Sequence, residues 1–318
     1  MSTSSRNLWD EIRANKRNSL LLMFAVSFLL VGLGALIGLV FGRPIHGIVF
    51  GFIIAFLLSL IAFYQSDQIV LSASNAVEVT PDDFPQLFNV VDEMRIAAGV
   101  PMPKVYLIDD MSPNAFATGR DPEHASVAIT RGLMVKLNRD ELQGVMAHEM
   151  SHVRFFDIRF AMLLAVMVGS IALMADFFLR FGLFGGLSGG SRRGRSGGRG
   201  GGGGAQIIIV LVAILFAILA PIAAKLIELA ASRRREYLAD AGGVELTRNP
   251  LGLASALEKI AKDPDPLEIA NRATQHLFIV NPVKSLDSGA SVFSTHPPIL
   301  DRIQRLREMA YVPTEPTR

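Results

Sequence analysis

His148-Glu149-Met150-Ser151-His152 sets two imidazoles four residues apart, with a carboxylate next to the first. On a helix, positions i and i+4 share a face, so both rings can reach a single ion. Nitrogen donors of this kind suit Zn2+ at about 2.0–2.1 Å, and a catalytic zinc site keeps one position for water. Glu149 is offset by about one helical step from the metal face. From there it can contact that water rather than the ion, which is where a general base must sit. Two histidines on a helix can also be packing or surface residues, so the pattern needs a third ligand.

A candidate lies in Ser232-Arg233-Arg234-Arg235-Glu236-Tyr237-Leu238-Ala239-Asp240. Glu236 and Asp240 are four apart, on one helix face. Glu236 would complete a His–His–Glu set. Asp240 would accept the second N–H of a ligating imidazole, fixing its tautomer and raising its basicity. The competing reading is a solvated helix beside a membrane, its three arginines facing headgroups.

The elements that must carry these residues are uneven in character. The 318-residue chain is 50% hydrophobic with a net charge of only +2, so no global basic field points to nucleic acid as a specific partner. It has no cysteine, which excludes disulfides, thiolate metal sites and thiol nucleophiles. The apolar residues gather in uncharged runs. One extends from Asn18 to Gly42 and a second from Pro44 to Ser66, each long enough to cross a bilayer. They predict a transmembrane hairpin with spans 18–42 and 44–66, an uncleaved anchor forming domain 1–66. Arg6, Arg13, Lys16 and Arg17 precede it and Arg43 alone lies in the turn, so both ends should be cytoplasmic.

Residues 67–318 then form the second domain. Its periodicity predicts a helix over Asp82–Ala98, strands at Lys104–Ile108, Asn114–Thr118 and Ser126–Thr130, and a helix starting at Asn138–Asp140 that runs through the histidine motif. Two further apolar runs, 160–179 and 205–224, predict a second helical hairpin that continues the metal-binding helices and sets the site at the membrane surface. The first of these is short for a full crossing, so a dipping hairpin stays open. Between them, the Gly/Arg segment 182–204 has a composition that cannot pack a core and reads as a disordered linker. His46, His124 and His276 read as turn or surface residues.

Several of these segments together resemble the HtpX-type membrane peptidases, relatives of the CAAX prenyl proteases. The resemblance runs over nearly the whole chain: the N-terminal hairpin, Pro113–Gly119, His148–His152, Ser232–Asp240 and Ser294-Thr295-His296-Pro297-Pro298. It implies one Zn2+ per chain held by His148, His152 and Glu236, with cleavage of membrane or misfolded proteins in quality control. Asn114–Phe116 resembles the edge strand of thermolysin-like enzymes, so Asn114 and Ala115 would hold an extended substrate by backbone pairing; the plain alternative is an ordinary buried strand. His296 matches the family's His-Pro-Pro element and would face the oxyanion; the plain alternative is a residue preceding the Ile299–Met309 helix. Asp157 recurs in the family pattern without an evident physical role.

The expectation is thus a mainly α-helical membrane protein with a gluzincin-like α+β metalloprotease domain. It would be a multi-pass protein of the cell membrane, in contact with lipid, with its catalytic side cytoplasmic and protein substrates. A metal-holding scaffold without activity, and a CAAX-type processing protease, are the alternatives.

Overall fold

The computed structural model describes residues 8–40, 42–164, 166, 215, 222, 233–265, 277–280 and 297–310. The Gly/Arg segment 182–204, His276, His296 and most of the third and fourth apolar runs lie outside the described residues.

The polar N-terminal lead is helical together with the first apolar run, as α1 (Leu8–Val40). A turn at Gly42, in the left-handed region at φ +67°, leads into α2 (Pro44–Tyr64). Among the described residues α2 is the one helix long and apolar enough to cross a membrane. The two helices approach at glycines spaced four apart on both sides, Gly34 and Gly38 against Gly47 and Gly51. A Cβ on Gly47 would lie 2.1 Å from the Gly34 carbonyl oxygen, and one on Gly34 2.3 Å from that of Gly47. Small residues at such a crossing let the two backbones touch. Ser27 and Ser59 hydroxyls meet at 3.3 Å along the same contact.

Compact packing divides the described chain into two units. One contains α1 from Leu20 and α2 to Phe63. The other holds α1 up to Ser19, residues 64–162 and the described residues from 233 onward. In the second unit, α3 (Ser66–Ala73) leads to a four-stranded mixed sheet: β1 (Val77–Glu78), β2 (Lys104–Ile108), β3 (Ala115–Gly119) and β4 (Ala125–Thr130). Its order is β1-β2-β4-β3, with β2 and β4 parallel and the other pairs antiparallel. The predicted strands appear within a residue of their expected limits. The helix expected from Asp82 starts later, as α4 (Pro85–Ala98), because Pro85 takes the first helical turn and Gly99, at φ +69°, ends it.

The motif helix is α6 (Arg139–Arg154), preceded by the short α5 (Arg131–Lys136). Asn138 and Glu141 close a reciprocal capping box at its start. Glu141 also accepts from Ser255 Oγ at 2.6 Å and Lys259 Nζ at 2.7 Å, tying α6 to α8 (Pro250–Lys262). The helix packs against α4, β3, α8 and α7 (Arg233–Thr247), and Val145, Met146 and Met150 are fully buried. The last described helix is α9 (Ile299–Ala310).

The α1–α2 pairing can be tested cleanly because the chain has no native cysteine. Ser27→Cys with Ser59→Cys should form an intrachain disulfide on mild oxidation, read as a mobility shift on non-reducing gels. Adding Gly47→Leu should cut the cross-linking yield severalfold, and an undiminished yield would contradict the glycine contact.

Candidate metal centre

Two helices build the site. Along α6, His148 and His152 point from one face, and their Nε2 atoms stand 3.2 Å apart. Across from them α7 brings Glu236, with Oε2 3.7 Å from His148 Nε2 and Oε1 3.6 Å from His152 Nε2. The helices come this close because Gly242 of α7 faces Ser151: a Cβ there would lie 2.6 Å from the serine hydroxyl. His148 is sealed, whereas the His152 and Glu236 side chains keep 16% and 12% of their surface exposed, so the site opens on that side.

Each imidazole is oriented by its own carboxylate. His148 Nδ1 lies 3.0 Å from Asp240 Oδ1, and His152 Nδ1 lies 3.1 Å from Asp157 Oδ2. With Nδ1–H donated to a carboxylate, a neutral ring presents its Nε2 lone pair. Two such lone pairs facing each other at 3.2 Å repel unless a positive species lies between them. Burial would lower the His152 pKa, but the Asp157 hydrogen bond and the charge of Glu236 outweigh it and lift the ring to about 9. His148 is pushed down, by burial first and by the Arg302 charge, against the pull of Asp240.

These distances fit a metal. Ligands about 2.0–2.1 Å from a tetrahedral zinc lie about 3.3 Å from one another. The three edges here are 3.2, 3.6 and 3.7 Å, with two nitrogens and one carboxylate oxygen as donors. Among the described residues, His148, His152 and Glu236 form the group able to hold an ion.

Glu149 is buried beside this group, and its Oε1 has no hydrogen-bond partner among the described residues. Burial raises its pKa to about 7; the His152 charge and the Ala117 backbone N–H pull it down, and Glu236 pushes it further up. A carboxyl that titrates near neutrality, with one oxygen unengaged, can exchange a proton with a small molecule beside it.

Sequence reasoning missed Arg302, among the described residues the largest fully buried side chain. From α9 it clasps Asp240 with two bonds, Nη2 to Oδ1 at 2.7 Å and Nε to Oδ2 at 2.9 Å. Its Nη1 donates to the Ile279 carbonyl at 2.7 Å and lies 3.2 Å from Glu236 Oε2. Burial pushes the Asp240 pKa up and the Arg302 pKa down, yet their mutual attraction wins: Asp240 is held below the usual carboxylate range and Arg302 above the usual guanidinium range. A signal existed. Arg302 falls on the same helical stripe as Ile299, Ile303 and Leu306, and a charge on an apolar stripe demands a buried partner.

Asn114 and Ala115 are engaged by the chain itself. The Asn114 backbone N–H and C=O pair with Thr130, and its Nδ2 donates to the Val280 carbonyl at 3.0 Å. The Ala115 carbonyl accepts from Ile279 N–H at 3.0 Å. The outer edge of β3 at these two residues is therefore covered by residues 279–280, which the sequence expectation of an open edge did not foresee.

One consequence concerns stability of the metal-free protein. Folding raises the Glu149 pKa from 4.5 to about 7, so between those values the folded chain binds a proton that the unfolded chain has lost. Stability from this group therefore falls as pH rises through that window. Glu149→Gln should raise the melting temperature of metal-stripped protein at pH 8, by up to about 3 kcal/mol in stability, and the gain should shrink towards zero below pH 4.5. A gain independent of pH would contradict the raised pKa.

Residues 81–310 match peptidase family M48. The chain is 45% identical over 306 residues to a Protease HtpX homolog from Limosilactobacillus reuteri, covering 95% of this chain and all of that one. It is 46% identical over 304 residues to one from Lactiplantibacillus plantarum, with the same coverage. A third, from Dictyoglomus thermophilum, is 44% identical over 301 residues, 95% of this chain and 94% of the relative. Among solved structures, the crystal structure of Ste24p from S. mikatae superposes with a TM-score of 0.50 at 19% identity, covering 94% of this chain and 66% of that one. That likeness speaks to fold alone. With a His–His–Glu cluster of metal-binding geometry and these relatives over 95% of its length, the chain belongs to peptidase family M48 and is a metalloprotease of the HtpX type.

Proposed function

We propose that this chain is a membrane-bound zinc endopeptidase, with one Zn2+ per chain held by His148, His152 and Glu236. It would hydrolyse peptide bonds of membrane or misfolded proteins. The observation that carries this reading is the triangle of ligand atoms 3.2–3.7 Å apart, next to a buried Glu149 with an unpartnered oxygen. Structural zinc sites normally close with four protein ligands. Three gather here among the described residues, which favours an enzyme over an inactive scaffold.

Zinc, when bound, supplies a Lewis acid for the scissile carbonyl and the attacking water. The chain does the rest. Glu149 takes the proton from the water as it attacks the carbonyl carbon, then delivers it to the leaving amine nitrogen. Asp240 and Asp157 hold the two imidazoles in the tautomer that leaves Nε2 free. Arg302 holds Asp240 and Glu236 in place and stays charged throughout. An extended peptide would pair along β3 at Asn114 and Ala115, which requires residues 279–280 to shift from that edge. His296 is proposed to face the oxyanion.

Membrane residence rests on the length and apolarity of α2 and on the uncharged half of α1. We place domain 1–66 across the bilayer and the catalytic domain 67–318 on the cytoplasmic side, with 160–179 and 205–224 as a second apolar hairpin.

Glu149→Gln should keep one zinc per chain and lose proteolysis of casein by 10²-fold or more, a loss on the order expected for a general base. Appreciable cleavage by the purified variant would overturn the base assignment. For the third ligand, Glu236→Ala should surrender zinc to a chelator far more readily than Asp240→Ala, whose loss should be roughly 10–100-fold in affinity. Equal zinc retention by both variants and the parent would remove Glu236 from the ligand set. A reporter fused after Met309 should give a cytoplasmic signal; a signal from the opposite face would refute the topology.

A further inference from the structure

The helical lead of α1 ends in the catalytic unit with two buried polar residues, Asn15 and Ser19. Asn15 reaches the turn that follows the motif helix. Its Nδ2 donates to the Phe155 carbonyl at 2.9 Å and to Asp157 Oδ1 at 2.6 Å, so both amide hydrogens are used. The other Asp157 oxygen faces His152 Nδ1 at 3.1 Å. Two acceptors on one side fix which way the amide points: the nitrogen, not the oxygen, must face Asp157.

We propose that Asn15 is a positioning residue of the metal site, orienting Asp157 and through it the His152 imidazole. This rests on the reading of His152 as a zinc ligand. The two imidazoles are then supported in parallel ways, His148 through Asp240 and Arg302, His152 through Asp157 and Asn15. The difference is in charge. A cation at position 15 would cancel part of the negative charge that Asp157 offers to the Nδ1–H, whereas a neutral amide directs the carboxylate without weakening it. Arg235 forms a looser ion pair with Asp157, its Nε 3.8 Å from Oδ1, while Asn15 hydrogen-bonds that oxygen at 2.6 Å.

The neighbouring Lys16 provides a built-in control. Its Nζ sits 4.0 Å above the Phe156 ring, so it helps dock the same helix on the same turn without touching Asp157. If Asn15 merely fastened the helix, loss of Lys16 should matter equally. Asn15→Asp is the sharper change, because it is nearly isosteric yet turns both donors into acceptors facing a carbonyl and a carboxylate. Exchanging the pair, Asn15→Asp with Asp157→Asn, would put a donor and an acceptor back opposite each other and leave an oxygen for the His152 N–H.

The experiment is chelator competition for Zn2+ on full-length protein in detergent, with melting curves of each variant to establish folding. Asn15→Ala should weaken zinc binding about 10-fold and Asn15→Asp up to about 100-fold, the range of outer-shell losses. Lys16→Ala should stay within about twofold, and the exchanged pair should bind severalfold tighter than Asn15→Asp alone. Parent-like zinc affinity in both Asn15 variants would overturn the proposal, as would a loss in Lys16→Ala matching that of Asn15→Ala. A parent that holds no zinc would instead refute the metal reading itself.

Discussion

Two imidazole Nε2 atoms 3.2 Å apart in a largely buried place, each with its Nδ1 turned to a carboxylate, set the constraint on which the rest of this catalytic unit depends. Lone pairs so arranged are stable only around a positive species. Keeping them there requires a rigid α6, and the helix is capped by Asn138, packed on all sides and tied to α8 through Glu141. It also requires α7 at close range, which the small Gly242 permits against Ser151.

Charge balance leads to the same place. Glu149, Glu236, Asp240 and Asp157 converge, with Arg302 fully buried among them and Arg235 3.8 Å from Asp157. Buried carboxylates in such excess are costly without further positive charge. Part of the strain is relieved by raising pKa values: Glu149 goes up to about 7, and His152, against the effect of its burial, to about 9. A dication among His148, His152 and Glu236 would relieve far more. The polar cluster that looks unfavourable for folding is therefore intelligible as a preformed ligand cage with its supports.

What the sequence made legible was local. The i, i+4 spacings in His148–His152 and Glu236–Asp240 imply common faces on single helices, and β-type runs marked the sheet. What it hid was non-local. Arg302 meets Asp240 across 62 residues and Asn15 meets Asp157 across 142, and no periodicity links such pairs. The polar lead before the first apolar run was read as a flank, whereas its Asn15 is buried. The β3 edge looked open because nothing in Ile279-Val280 announces that these residues pair with Ala115 and Asn114.

The most direct test of the ligand cage is zinc-edge X-ray absorption on the purified full-length protein loaded with one equivalent of Zn2+. The expected first shell contains two imidazole nitrogens with oxygen making up the rest, at about 2.0–2.1 Å. In Glu236→Ala the imidazole count should stay at two in whatever zinc remains, while the oxygen contribution changes. A shell with one imidazole or none in the parent would contradict the arrangement on which the catalytic reading stands.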